Sequence, residues 1–272
     1  MNIFENFNRV YKLARHEIVN YFFIKKKLFE DTLIHSLNTK GYYVCEETEI
    51  NFDKLSLIIK QSIQKYFPKS NGDNRLYGID DESIIVKENF HKIINSHKNR
   101  IKTVSSIKKL YLHCTMGGFL QNQEGTSSGG GWHRDHHFEL FKVMVYLSDV
   151  NEKNGPFSYI EKSHSKINQL LTLFFLKLFS KNTTRYSEYL INLICKIFNY
   201  KKKIFVGKKG TCIIFNSSGL HRGLEISSGE RLALTAYIYP YTNSEKILHE
   251  RSKHMKIPDH LRKKNIKDYV LL

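Results

Sequence analysis

The chain has 272 residues, of which 41% are hydrophobic and 13% aromatic, with only four prolines; this is enough to build a core and too apolar for a disordered chain. Its formal charge of +17 comes from lysines that outnumber arginines about three to one and are spread along the whole length, which reads as a solvated surface rather than a nucleic-acid groove. Four scattered cysteines (Cys45, Cys114, Cys195, Cys212) with no CxxC pair argue against a zinc knuckle or a disulfide scaffold and suit a reducing, cytoplasmic setting.

Apolar positions at three- and four-residue steps (Phe7, Val10, Leu13, Ala14, Ile18, Phe22) predict a helix over residues 5–39. No signal peptide is read at the N-terminus, and no stretch reaches the ~20 apolar residues of a membrane span. Tyr42 to Cys45 predicts a strand, and 52–67 a second helix that Pro68 ends, with Leu55, Ile58, Ile59 and Ile63 on one side. Residues 69–81 read as polar turn, and a third helix is expected from about Asp81 to Asn99.

From about residue 107 the texture becomes β-rich, with strands expected at 109–115, 141–147, 157–160, 203–206, 211–215 and 231–239. Gln121 to Gly131 is a polar, glycine-rich loop, either a lid or a rim. Residues 167–200 look helical and interrupt the strands, so they are expected as an insertion in the β-core. The insertion would form a packed hairpin, cover a hydrophobic substrate, or meet a partner or membrane surface. Short strands without alternating helices favour an antiparallel sandwich or barrel. One domain is expected over 1–272: a mostly helical part to 106, a β-core over 107–240 and a basic tail over 241–272.

Residues i and i+2 of a strand project to the same side, so His133 and Asp135 can aim an imidazole and a carboxylate at one point. A second β-flanked histidine, His221, supplies the third member of a facial triad suited to Fe(II) with three open positions. Arg231, ten residues further on at a strand start, has the fork geometry to pair with the remote carboxylate of a dicarboxylic keto acid. Lys142 and Tyr146 share a strand face and are candidates to reach the same keto acid, or else to pack and snorkel. Trp132 either walls the pocket or packs in the core, and His164 is read as a structural hydrogen-bonder. His136 faces away from Asp135 by alternation, and His137 is at best a neighbour of the centre, so neither is read as a ligand.

The stretches WHRDHHFELFKVMVYLSDVNEKNGPFSYIEKSH (132–164) and GKKGTCIIFNSSGLHRGLEISSGERLALTAYIY (207–239) resemble the phytanoyl-CoA dioxygenase-like (PhyH) branch of the Fe(II)/2-oxoglutarate oxygenases. The resemblance implies a mainly β fold, a double-stranded β-helix (jelly-roll, cupin-like) core with flanking helices. It implies His133, Asp135 and His221 as iron ligands, Arg231 as the 2-oxoglutarate anchor, and O2 as co-substrate with ascorbate an optional reductant. Two departures stand: Lys162-Ser163-His164 replaces the frequent Gly-Ser-His, and Arg231 lies one position nearer the distal histidine than is common. A carboxylate at Asp135 implies hydroxylation or a related oxidation rather than halogenation, while the substrate is a small or carrier-tethered molecule the sequence does not name, the positive charge slightly favouring an anionic or thioester-tethered one. The rival readings are a non-catalytic jelly-roll module that binds metal or ligand, and a basic nucleic-acid-binding protein, for which no motif is present.

Overall fold

The computed structural model describes residues 31–68, 72–105, 109–121, 130–179, 184–240 and 270–272, and all elements below lie among them. The first helix, α1 (Thr32–Thr39), starts sharply. Asp31 is extended (φ −100°, ψ 112°) and its carboxylate accepts the Leu33 and Ile34 N–H groups, so it is an N-cap rather than the middle of a helix over 5–39. Residues 5–30 of that expectation lie outside the described residues. After β1 (Tyr42–Glu46), Asn51 caps α2 (Phe52–Tyr66) by accepting from the Lys54 N–H.

The segment expected as polar turn corrects most. Asp73–Tyr77 is a strand, β2, because Asn74 and Leu76 bury alternate side chains while its backbone pairs with the next strand. A short turn of helix, α3 (Ile79–Glu82), leads to Ser83, which caps α4 (Ile84–Val104). The third helix therefore starts later than expected and runs past Asn99 to Val104.

The β-core comprises β3 (Leu110–Gln121), β4 (Trp132–His133), β5 (Phe141–Tyr146), β6 (Phe157–Ile160), β7 (Arg185–Tyr186), β8 (Lys202–Phe205), β9 (Thr211–Asn216), β10 (His221–Gly223), β11 (Glu230–Pro240) and β12 (Val270–Leu271). A seven-stranded sheet runs β1-β9-β5-β11-β3-β12, with β2 also pairing β3; a five-stranded sheet runs β7-β4-β10-β6-β8. All the pairings are antiparallel. Two facing antiparallel sheets with helices outside make the expected jelly-roll. Of the expected basic tail, 241–269 lie outside the described residues, while 270–272 join the edge of β3.

Alternation sorts the larger sheet into two faces. Val143 and Val145 of β5, Cys212 and Ile214 of β9, and Leu234, Ala236 and Ile238 of β11 point outward. There they meet Leu33 and Leu37 of α1, Leu55, Ile59 and Ile63 of α2, and Phe90, Ile94 and Ile101 of α4, all buried. The helices therefore cover one face and leave the other to line the interior between the sheets.

The expected insertion consists of α5 (Lys166–Phe179) and α6 (Glu188–Phe198), joined through β7, which extends the smaller sheet beside β4. The inner face of α6 (Leu190, Ile191, Ile194) packs on Trp132, Ile160 and Leu220 of the β-core. On α5, Ile167, Leu171 and Phe174 remain exposed. No helix among the described residues is long and apolar enough to cross a membrane.

Candidate metal centre and pocket

His133 and His221 are direct cross-strand partners, β4 against β10, so the antiparallel register itself brings the two imidazoles side by side. Their ring centroids are 4.4 Å apart. Each ring is steered in the same way: His133 Nδ1 lies 2.7 Å from the Gly131 carbonyl and His221 Nδ1 lies 2.9 Å from the Gly219 carbonyl. A carbonyl only accepts, so both Nδ1 atoms carry the proton and both Nε2 atoms present lone pairs. The backbone thus selects the ligating tautomer.

Asp135 follows just beyond β4, where its N–H donates to the Ser217 carbonyl at 3.0 Å. Its Oδ1 lies 3.8 Å from Nε2 of each histidine, and its Oδ2 is held by Lys142 Nζ at 2.7 Å. Between the two candidate ligands, Arg134 points the opposite way and is buried. Its guanidinium donates to Tyr186 Oη and to the Ser163 and Ser218 carbonyls, tying β7 and two loops beneath the centre.

The electrostatics suit a cation. Burial, with His133 as neighbour, pushes the His221 pKa down to about 3, and burial lowers that of His133 as well, so both imidazoles are neutral ligands. Burial opposes ionisation of Asp135, but the Lys142 ammonium outweighs it and holds the carboxyl below its usual range. His221 Nε2 is buried with no hydrogen-bond partner. An unpartnered imidazole nitrogen beside a carboxylate oxygen and a second imidazole fits a divalent metal, and the three ligand atoms lie within 4.8 Å of one another.

The triad opens onto a pocket of about 710 Å³, part of it continuous with solvent. Met144, Phe157 and Phe215 give it an apolar side; Arg231, Thr235 and Tyr237 line it at alternate positions of β11. Arg231 donates to the Gly155 carbonyl, so the Asn154-Gly155-Pro156 turn fixes the arginine of the opposite sheet. That turn requires glycine: φ is +68°, and a Cβ there would lie 2.8 Å from the Leu224 carbonyl oxygen.

The structure decides between the alternatives left open for three other candidates. Tyr146 shares the pocket face by alternation, yet it is sealed beyond the pocket's end: its hydroxyl donates to the Phe205 carbonyl at 2.9 Å and accepts the Phe157 N–H at 3.1 Å. It is therefore a strap between sheets rather than a keto-acid contact. Lys142 does line the pocket, but its ammonium is engaged by Asp135. Trp132 is buried against α6, with Nε1 donating to Glu188 at 2.7 Å, so it packs rather than walls the pocket. His164 is structural, with Nε2 at 3.2 Å from the Asn38 carbonyl, and neither His136 nor His137 joins the ligand cluster. Of the glycine-rich loop, 122–129 lie outside the described residues.

Two lining residues went unread in the sequence: Asp73 and Arg75 of β2, joined by a two-point ion pair. Their signal was the alternation Asn74–Leu76 between two glycines, Gly72 and Gly78.

A profile of the phytanoyl-CoA dioxygenase (PhyH) family matches residues 73–233, a span that begins at β2 and holds both histidines, Asp135 and Arg231. The chain belongs to the phytanoyl-CoA dioxygenase family. No curated protein matches this family member in sequence. Among solved structures it is similar to the non-heme alpha ketoglutarate dependent carbocyclase SnoK from nogalamycin biosynthesis, at 10% identity over 90% of this chain and 96% of that one, with a TM-score of 0.58. It is also similar to EctD from S. alaskensis with bound Fe, at 14% identity over 78% and 77% of the two chains, TM-score 0.55. HygX from Streptomyces hygroscopicus, with nickel and 2-oxoglutarate bound, matches at 16% identity over 78% and 88%, TM-score 0.54. At these identities the likeness is one of fold, and it places the PhyH-family chain among jelly-roll proteins.

Proposed function

We propose that this member of the phytanoyl-CoA dioxygenase family is an Fe(II)/2-oxoglutarate-dependent hydroxylase. His133, Asp135 and His221 would hold the metal, and Arg231 would take the far carboxylate of the keto acid. The observation that carries this reading is the pair of cross-strand imidazoles whose Nδ1 atoms are tied to backbone carbonyls, leaving two Nε2 atoms and Asp135 Oδ1 facing a common point. When bound, ferrous iron supplies hydroxylation of an unactivated C–H bond with O2, coupled to conversion of 2-oxoglutarate to succinate and CO2.

The chain's own residues do the rest. Lys142 holds Asp135 Oδ2, which leaves Oδ1 as the ligating atom and keeps the carboxylate from swinging away. Arg231 presents a fixed cationic fork on the pocket wall, and Phe157 and Phe215, whose rings lie 5.8 and 5.5 Å from that of His221, make the surroundings of the triad apolar. A small molecule that is anionic or thioester-tethered is the proposed substrate class, in keeping with the chain's formal charge of +17. Free cysteines at all four positions support a reducing, cytoplasmic setting.

Anaerobic Fe(II) and 2-oxoglutarate titration should develop the charge-transfer band of the chelate, and aerobic incubation should release succinate. Asp135→Ala and His221→Ala should each abolish both signals. Full succinate formation by either variant would sink the assignment. Iron binding by the wild type with no keto-acid consumption would instead identify a non-catalytic binding module.

A further inference from the structure

A second cluster of ligand-type side chains lies on the outer face of the larger sheet, away from the pocket. Cys45 of β1 and Cys212 of β9 are cross-strand partners, so their side chains emerge side by side. Glu47, two residues after Cys45, folds back onto the same side, and His97 comes down from α4. Cys45 Sγ is 3.8 Å from Glu47 Oε1 and 3.9 Å from His97 Nε2; His97 Nε2 is 2.8 Å from Glu47 Oε1. All four ligand atoms lie within 4.8 Å of one another.

The cluster is enclosed. Cys212 is fully buried, and the side chains of His97 and Glu47 are only 9% and 18% exposed. Apolar neighbours surround it, with Cys212 in the core between the sheet and α4 and Cys45 packed against that core.

We propose that Cys45, Glu47, His97 and Cys212 form a four-coordinate structural zinc site that pins α4 to the β1–β9 edge of the sheet. Two thiolates, an imidazole and a carboxylate make a soft-to-borderline donor set matched to Zn2+. Tetrahedral bonds of about 2.0–2.3 Å imply ligand–ligand edges of roughly 3.3–3.8 Å. The Cys45 distances already fall near that range, and the His97–Glu47 contact need open by only about half an ångström. Binding would displace the two thiol protons to solvent, and the His97 Nε2 proton that faces Glu47 would leave or move to Nδ1, so that sulfur, nitrogen and oxygen lone pairs meet the metal with no change of oxidation state. With four protein ligands the site has no open position, so its role is to hold structure. It is independent of the assignment of the inner triad.

The test uses the full chain, reduced and stripped with chelator, titrated anaerobically with Co2+. One equivalent should give a near-ultraviolet sulfur-to-cobalt charge-transfer band and the intense visible bands of tetrahedral cobalt, both bleached by Zn2+. Cys45→Ser and Cys212→Ser should each lose or strongly weaken the sulfur band, while the double variant His133→Ala, Asp135→Ala should retain it. If the serine variants fail to fold, thiol labelling of wild type decides: Zn2+ should protect two cysteines, identified by mass mapping as Cys45 and Cys212. Absence of a sulfur band in folded, reduced wild type would overturn the proposal, as would its survival in Cys45→Ser. Isolation of the protein with a Cys45–Cys212 disulfide that regenerates no sulfur-to-cobalt band on reduction would also overturn it.

Discussion

The two faces of the seven-stranded sheet are written by the same strands, one residue out of step, yet they have opposite chemistry. On β5, Lys142 and Met144 line the pocket while Val143 and Val145 meet the helices; on β11, Arg231 and Thr235 face inward while Leu234 and Ala236 face out. Apart from the Cys45–Cys212 cluster at its β1–β9 edge, the outer face is an apolar surface whose interactions are non-directional, so it contributes stability and little geometry. The inner face carries charged groups that would be costly to bury alone, each engaged by a specific partner such as Asp135 for Lys142 or the Gly155 carbonyl for Arg231. Stability and chemistry are therefore separated by alternation, and substitutions can be chosen to touch one without the other.

The largest effect is expected outside. Ile214→Ala, at a fully buried position among α1, α2 and α4, should cost about 3 kcal/mol of unfolding free energy in a denaturant titration, with 2-oxoglutarate affinity of the folded protein unchanged. A comparable loss of affinity would break the separation of the faces. Next, Arg231→Ala should weaken 2-oxoglutarate binding by roughly 30-fold, about 2 kcal/mol, in calorimetric titration while moving the melting temperature little. Unchanged affinity would remove Arg231 from the anchor role.

Tyr146→Phe sharpens the boundary between the two, because Tyr146 sits on the inner face yet contacts only protein backbone through its hydroxyl. It should lose about 1–2 kcal/mol of stability, since the Phe157 N–H and the Phe205 carbonyl are left without that partner, and should bind keto acid as wild type does. An effect confined to acid pH concerns His164, whose pKa burial lowers to about 4 despite its hydrogen bond to Asn38. Its neutral form contributes stability that is complete above an unfolded pKa of about 6.5 and is lost as pH falls towards 4. His164→Gln should flatten that part of the acid limb in pH-dependent melting, and an unaltered limb would exclude the residue as its source.

Alternation along one strand end aims His133 and Asp135 together, whereas His221 pairs with His133 from a distant segment and was joined to them in the sequence by the family resemblance. Arg75 and Asp73 were invisible because β2 has five residues and exists only by pairing with β3, a contact between distant segments. Tyr146 misled for the converse reason: its face was right, but Phe205 of β8 closes over it, and no local pattern announces a neighbour from another sheet. Asp31 was legible in principle, since an Asp before Thr-Leu-Ile is a capping signal; the periodicity upstream masked it. The Cys45–Cys212 juxtaposition was unreadable from spacing, because cross-strand pairing rather than a CxxC run brings the thiols together.

The direct pairing of His133 with His221 has a consequence for how such a protein diversifies. Both imidazoles belong to one strand pair of the smaller sheet, while β2, β5 and β11 of the larger sheet supply Arg75, Met144 and Arg231 to the wall. Selection can therefore remodel the wall, residue by residue, without renegotiating the ligand register. The same two-stranded clasp can be inherited intact beneath pockets that have drifted apart in shape and charge.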